Sequence, residues 1–237
     1  MVDFMEIKRI IKSIDKWDQS IILKINGRGG KFITTLLRLI SFFGRETIWL
    51  FLLASFSFIW FDPKIFSYIG VSYTIGLINI VPIKQIVRRT RPFNELEKII
   101  LYERKSTSGS FPSWHSYNTA SQAIILGYLF SSSLLMIVFL VIAGVVAYSR
   151  VHVGSHYPSD VINGYIIGLI AGLSTIFLFG KYLYNFIIYL NKISSINFVF
   201  YSFNPLIFNN IGYILLCILI FGGIFILSTY RYLKGIL

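Results

Sequence analysis

Three histidines, His115, His152 and His156, fall within forty-two residues of this 237-residue chain, and Asp160 follows His156 by four. Lys84, Arg91, Arg150 and the hydroxyl of Ser113 complete a set of candidate reactive groups. Three cations around a hydroxyl and two imidazoles suit a phosphate dianion, because Arg offers planar bidentate donors and Lys a point charge. A carboxylate that hydrogen-bonds one imidazole nitrogen sets the tautomer and leaves the other free to attack phosphorus, which Asp160 can do for His156. His115 can then protonate the leaving oxygen. Backbone N–H groups where a helix starts near Ser113 would add an anion site. Each piece also has a plainer use. Lys84, Arg88, Arg89 and Arg91 can anchor a helix end at lipid head groups. His152 and His156, four apart, can hold a metal, but Val153 stands where a His-Glu-x-x-His motif needs Glu. Neither a metal nor another cofactor is expected. The conjunction of three separated clusters favours phosphate chemistry.

The elements that must carry these groups follow from the charges. The chain has 22 Lys and Arg against 10 Asp and Glu, a formal net charge of +12, yet only 14% of residues are charged and 55% are hydrophobic. That excludes a disordered chain. The lone Cys217 excludes a disulfide scaffold. A soluble domain would lack the polar surface to cover so much apolar mass. Nineteen residues without Asp, Glu, Lys or Arg separate Lys64 from Lys84, forty-four separate Lys105 from Arg150, twenty Asp160 from Lys181, and thirty-eight Lys192 from Arg231. A helix needs about 20 apolar residues to cross the hydrocarbon core. Continuous rather than alternating runs favour helices over barrel strands. The runs predict an all-α polytopic helix bundle with about six spans, near 39–61, 65–84, 115–131, 133–150, 158–179 and 211–229. The aromatic segment 182–208, interrupted by Asn191, Lys192, Asn204 and Pro205, reads as interfacial or re-entrant.

At the N-terminus, Ile7, Ile10, Ile11, Ile14 and Ile21 recur at helical spacing among Lys8, Arg9, Lys12 and Lys16. The pattern predicts an amphipathic helix within 1–31, either on the membrane surface or packed on the protein's own rim. Charge interrupts the first apolar residues, so no cleavable signal peptide is expected. Residues 1–237 read as one membrane-embedded domain with its chemistry in 84–160. Six alternating spans put the N-terminal helix, the 85–114 loop, the 150–157 turn and the C-terminal tail at one face. That face collects 19 of the 22 Lys and Arg, Arg231 and Lys234 included. The positive-inside rule places it in the cytoplasm, although a phosphate site gathers cations for its own reason.

Lys84-x6-Arg91-Pro92, then Pro112-Ser113-Trp114-His115, then Ser149-Arg150-x5-His156-x3-Asp160, resembles the signature of the type-2 phosphatidic acid phosphatases, the lipid phosphate phosphatases. The matched stretch covers about a third of the chain. The resemblance implies a metal-independent membrane phosphatase, with His156 as a nucleophile that becomes phosphohistidine, Asp160 as its orienting partner and His115 as acid. It implies a phosphate cradle of Lys84, Arg91, Ser113 and Arg150, and a site on the extracytoplasmic side of the cell membrane. Vanadium haloperoxidases share the constellation but are soluble. One position departs from the pattern: Trp114 stands where the family usually has Gly, which permits a positive φ and a close backbone approach. Trp114 is expected to begin a helix at ordinary φ with its indole packed at the interface, its N–H still near the phosphate. A reading in which the indole narrows the mouth of the site stands beside it.

The expected partners are membrane lipids and a lipid phosphate substrate: a polyprenyl diphosphate, phosphatidylglycerol phosphate, phosphatidic acid or a lipid A phosphate. No nucleic acid is expected, and nothing in the sequence bears on oligomeric state. Two rivals keep the same site, a phosphotransferase that passes the phosphoryl group to another acceptor and a non-catalytic lipid-phosphate binder. A transporter is disfavoured because the motif residues sit at span ends rather than mid-membrane.

Overall fold

A computed structural model describes residues 4–194 and 199–233. Lys234, counted above in the cationic tail, lies outside them, as do residues 1–3 of the N-terminal segment and 195–198 of the aromatic one. The described residues are helical, with no strand beyond one isolated bridge between Trp60 and Phe203. In chain order the helices are α1 (Phe4–Ile25), α2 (Gly30–Ser41), α3 (Glu46–Ala54), α4 (Pro63–Val87), α5 (Pro92–Glu95), α6 (Trp114–Leu129), α7 (Ser133–His152), α8 (Pro158–Ser174), α9 (Gly180–Ile193), α10 (Leu206–Asn209) and α11 (Ile211–Leu233).

Local chemistry places the boundaries. Asp62 caps α4 by accepting from the Ile65 amide at 2.9 Å, ahead of Pro63 in the first turn. The helix ends where Arg88 turns left-handed at φ 47°. Ser113 and Ser132 cap α6 and α7. Pro158 opens α8, and the Asp160 carboxylate reaches back to the Tyr157 amide at 2.9 Å, as in a capping box. A residue expected to do chemistry thus also shapes its own helix start.

α6 is the hub and packs against α8, α7 and α4. Its approach to α8 is backbone-close because Gly164, Gly168 and Gly172 recur every fourth residue along α8. A Cβ on Gly164 would stand 2.4 Å from the Ser113 carbonyl oxygen, and one on Gly168 2.5 Å from that of Tyr117. Small residues at this spacing let helices associate where the hydrophobic effect cannot drive them together. α6 carries buried Ser116, Asn118, Ser121 and Gln122. The outward sides of α7 and α8 instead expose Ile137, Val141, Ile162, Ile166 and Ile170, as a lipid-facing surface requires.

The spans differ from expectation in three places. The first begins at Gly30, well before residue 39. It is two helical stretches, 30–44 and 46–59, bent by 45° at Gly44-Arg45. The fifth does not stop at 179: α8 runs through a π turn at Thr175–Phe179 into α9, making 36 residues of helix. At 1.5 Å per residue that is about 54 Å, longer than the ~30 Å hydrocarbon core. The first part of the aromatic segment, up to Ile193, thus continues the helix of the fifth span. Asn191 and Lys192 sit in the last turn of α9 and do not interrupt it. α6, expected as the third span, is a sixteen-residue helix at the bundle centre, shorter than the other spanning helices. Among the described residues four helices are each long and apolar enough to cross a membrane, five if the bent pair is counted as one span. The chain is a multi-pass membrane protein.

α1 packs on the rim, but not through its isoleucine stripe. Asp18 and Ile22 are fully buried against the bundle, while Ile7, Ile10, Ile11, Ile14 and Trp17 remain exposed. Asn26, just past the helix, accepts from the Ile100 amide and donates to the carbonyls of Ile100 and His152, tying the α1–α2 turn to the motif loops.

Candidate active site

Two ends of the matched sequence meet through Arg91. The chain leaves α4 at Arg88, runs extended to Arg91, and turns back at Pro92. The Arg91 guanidinium is buried and nearly encircled by oxygens. Nε donates to the Ser108 carbonyl at 2.9 Å, and Nη1 donates to the carbonyl and hydroxyl of Ser155 at 3.0 and 3.1 Å. Nη1 also lies 3.4 Å from His156 Nε2. A guanidinium has no lone pair to offer, so Nε2 is the acceptor and the imidazole proton belongs on Nδ1. Lys84, one turn before the end of α4, points its ammonium at the Gly109 carbonyl, 2.8 Å away. Burial, with Arg91, Lys84 and Arg150 close by, holds the His156 imidazole well below the usual histidine range. Its Nε2 therefore stays unprotonated at neutral pH.

Asp160 is completely buried and its Oδ2 lies 3.7 Å from His156 Nδ1, outside hydrogen-bond distance. Among the described residues Nδ1 has no partner at good hydrogen-bond geometry. The Asp160 oxygens are engaged elsewhere. Oδ2 accepts from the Ser110 hydroxyl and the Tyr157 amide, and Oδ1 accepts from Arg89 at 2.8 Å. Hydrogen bonds in ligand-free sites are often long and tighten when substrate arrives.

Arg150, buried at the end of α7, faces Glu103 from the long α5–α6 loop. Its two terminal nitrogens grip the two carboxylate oxygens, one at 2.7 Å, and also donate to Ser41 and Ser155. Burial tends to raise the Glu103 carboxyl, but the charge and hydrogen bonds of Arg150 outweigh it and keep the group below its ordinary value. Ser155 accepts from both Arg91 and Arg150 and so joins the two cations. His115, in the first turn of α6, lies near enough to Arg150, Arg91, Arg45 and His156 to feel their charge. Its Cβ packs on Gly44, where an added Cβ would come within 2.7 Å.

Ser113 is buried as the α6 cap. Its Oγ accepts from the Ser116 hydroxyl at 3.0 Å, which leaves its own proton to donate. Trp114 starts α6 without a positive φ. Its indole packs edge-on against Tyr73 and beside Tyr117, in a cluster with Ile80 and Ala171. The ring turns into the helix interface. His152 points away: its Nε2 meets Thr34 Oγ1 at 3.0 Å and its ring lies beside Tyr102 and Tyr148, so it ties α2 to α7. Among the described residues no three His, Cys, Asp or Glu side chains gather as a metal site.

Arg89, Asp18, Ser159, Ser110, Ser155 and Glu103 were not singled out by motif spacing. Arg89 read as one of several anchors at a helix end. The available signal was Asp15 and Asp18, two acids one turn apart in an otherwise basic helix, which call for a cation outside it.

Over 129 residues the chain is 33% identical to an undecaprenyl-diphosphatase of Sulfolobus acidocaldarius, covering 54% of this chain and 62% of that one. Over 95 residues it is 35% identical to a lipid A 4'-phosphatase of Bacteroides thetaiotaomicron, covering 38% and 42%. The match thus spans less than two thirds of either relative's length. The fold resembles the crystal structure of Aquifex aeolicus LpxE, with a TM-score of 0.59, 20% identity, and 66% of this chain and 93% of that one covered. It resembles a transmembrane PAP2-type phosphatidylglycerolphosphate phosphatase from Bacillus subtilis equally, at 0.59, 22% identity, 77% and 89%. Residues 65–184, half of the chain and the stretch that brings Lys84, Arg91, His115, Arg150 and His156 together, match the profile of the PAP2 superfamily, and to that family the chain belongs.

Proposed function

We propose that this protein is a metal-independent phosphatase of the cell membrane that hydrolyses the terminal phosphate of a lipid phosphate or diphosphate. The observation that carries the reading is the contact of Arg91 with His156 Nε2. A phosphate-binding cation and a neutral, unprotonated nucleophile converge where one anion can touch both. Lys84, Arg91, Arg150, the Ser113 hydroxyl and the N–H groups at the start of α6, Trp114 included, cradle the phosphoryl oxygens.

His156 Nε2 attacks phosphorus as the bond to the lipid oxygen breaks, and His115 gives its proton to that oxygen. Asp160 accepts a hydrogen bond from Nδ1–H, which keeps its proton, and stabilises the positive phosphohistidine. In the second half, His115 removes a proton from water. The water oxygen attacks phosphorus, the P–N bond breaks, and Nε2 regains its lone pair. Charge stabilisation by the fixed cations and positioning supply the catalysis. The lipid chain lies among the apolar helix faces. The substrates are those whose phosphate sits at a membrane surface: polyprenyl diphosphate, phosphatidylglycerol phosphate, phosphatidic acid or lipid A. The named relatives act within this range, which supports it.

The test is phosphate release from a panel of these lipids in isotope-labelled water. The parent should release labelled phosphate with or without EDTA, and His156→Ala and His115→Ala should each lose at least about a thousandfold in kcat. Loss of activity in EDTA, or full activity in His156→Ala, would overturn the mechanism. Unlabelled transfer to a second lipid would make the protein a phosphotransferase.

A further inference from the structure

Arg89 is surrounded in a way that neither a head-group anchor nor a phosphate ligand needs. Nη1 donates to the Ser159 hydroxyl at 2.7 Å and to Asp160 Oδ1 at 2.8 Å. Nη2 donates to Asp15 Oδ1 at 2.9 Å and Asp18 Oδ2 at 2.7 Å. All four terminal protons are used, and the flat guanidinium lies 4.4 Å over the Tyr157 ring. Asp18, fully buried, is itself held by the amide and hydroxyl of Ser159. The two aspartates come from α1, the tyrosine from the turn that bears His156, and Asp160 and Ser159 from the first turn of α8.

We infer that Arg89 and Asp18 are positioning residues of the active site, and that α1 is a working part of it. Asp18 orients Arg89, Arg89 pins one oxygen of Asp160, and the other oxygen is left facing His156 Nδ1. The inference rests on the phosphatase reading for the role of His156, but the network stands on its own geometry. Two consequences set it apart from simple attachment of a helix. With its four terminal protons committed to Ser159 and three carboxylates, Arg89 has only its Nε–H left, so it should contribute little to phosphate binding. Its single charge is also shared among Asp15, Asp18 and Asp160. Asp160 thereby keeps the excess negative charge that an imidazolium-like phosphohistidine calls for. A lysine cannot replace this fork, because a point charge on a flexible stem does not fix four oxygens in a plane.

The experiment uses the full chain in detergent or vesicles and compares the parent with Arg89→Gln, Asp18→Asn and the double variant. A misplacement of the catalytic carboxylate lowers kcat by about a hundredfold in Arg89→Gln and about tenfold in Asp18→Asn, with KM within about twofold. The double variant should match Arg89→Gln within about twofold, because Asp18 acts through Arg89. Inorganic phosphate and orthovanadate are then bound without turnover. Vanadate takes the five-coordinate shape of the transferring group and requires the aligned nucleophile, whereas phosphate requires only the cradle. Arg89→Gln should leave phosphate affinity unchanged and weaken vanadate at least about tenfold.

If kcat stays within twofold, if phosphate and vanadate weaken together, or if the two substitutions add independently, Arg89 merely fastens the helix and the inference is overturned. Should Arg89→Gln fail to fold, Asp18→Asn, which keeps an amide in place of the carboxylate, answers the same questions. A parent that releases no phosphate from any lipid removes the proposed function, yet the phosphate-to-vanadate comparison still decides the role of Arg89.

Discussion

Glu103 occupies the position of an internal anion. Its carboxylate takes both terminal nitrogens of Arg150, a residue that phosphate would need, so the resting site is partly neutralised by its own loop. Because Arg150 keeps the carboxyl below its ordinary value, the pair is charged above the unfolded carboxyl range. It is lost only as pH falls through the lower folded value. Across neutral pH, therefore, phosphate always competes with an ionised Glu103. Glu103→Gln keeps the shape and removes the charge. Inorganic phosphate should then inhibit about tenfold more tightly, of the order expected when one charged hydrogen-bonded competitor is removed. The gain should be constant between about pH 6 and 8, where the unperturbed carboxyl is already ionised. An unchanged inhibition constant in Glu103→Gln would show that Glu103 and phosphate do not share Arg150.

At the scale of elements, the site depends on how closely α8 lies on α6. α6 brings Ser113 and His115, and α8 brings Asp160. Their separation is set by glycines whose missing side chains admit the Ser113 and Tyr117 carbonyls. Gly168→Ala places a Cβ 2.5 Å from backbone that cannot swing aside, so the helices must part. Overpacking of this kind costs about 1–3 kcal/mol. A thermal melt should register that loss, and kcat should fall by more than the lost stability explains, since a shift of about 1 Å at a reacting group can cost a hundredfold. Gly144→Ala on α7, where an added Cβ meets nothing within 4 Å, is the control and should be neutral or slightly stabilising. Equal effects at Gly144 and Gly168 would mean that helix propensity, not close approach, is being measured.

For the whole molecule, contacts bring the N-terminal helix, the α4–α6 connection and the α7–α8 turn to one end. Asp18 reaches Arg89 and Ser159, and Asn26 reaches Ile100 and His152. Lys64, at the start of α4, lies a full helix away from Lys84. Cysteines introduced singly at Lys12, Arg104 and Lys64, with Cys217 replaced by Ser, test this in vesicles. Impermeant reagent should label positions 12 and 104 from the same side and position 64 from the other. Labelling of 12 and 104 from opposite sides would refute the arrangement of spans.

Charge spacing alone determined that helices cross a membrane, because an uncompensated charge in hydrocarbon is too costly to place at random. Motif spacing alone singled out Lys84, Arg91, Arg150, His115, His156 and Asp160, because the transfer of a phosphoryl group demands those types of side chain. Contacts between distant stretches were decided only by tertiary structure. One-dimensional pattern cannot tell an aspartate that faces water from Asp18, which faces Arg89 seventy-one residues away. Nor can it show that Glu103 pairs with Arg150, or that the fifth span runs on to Ile193. Periodicity reports which side of a helix is apolar, whereas the partner that meets a buried polar group depends on the packing of every helix around it.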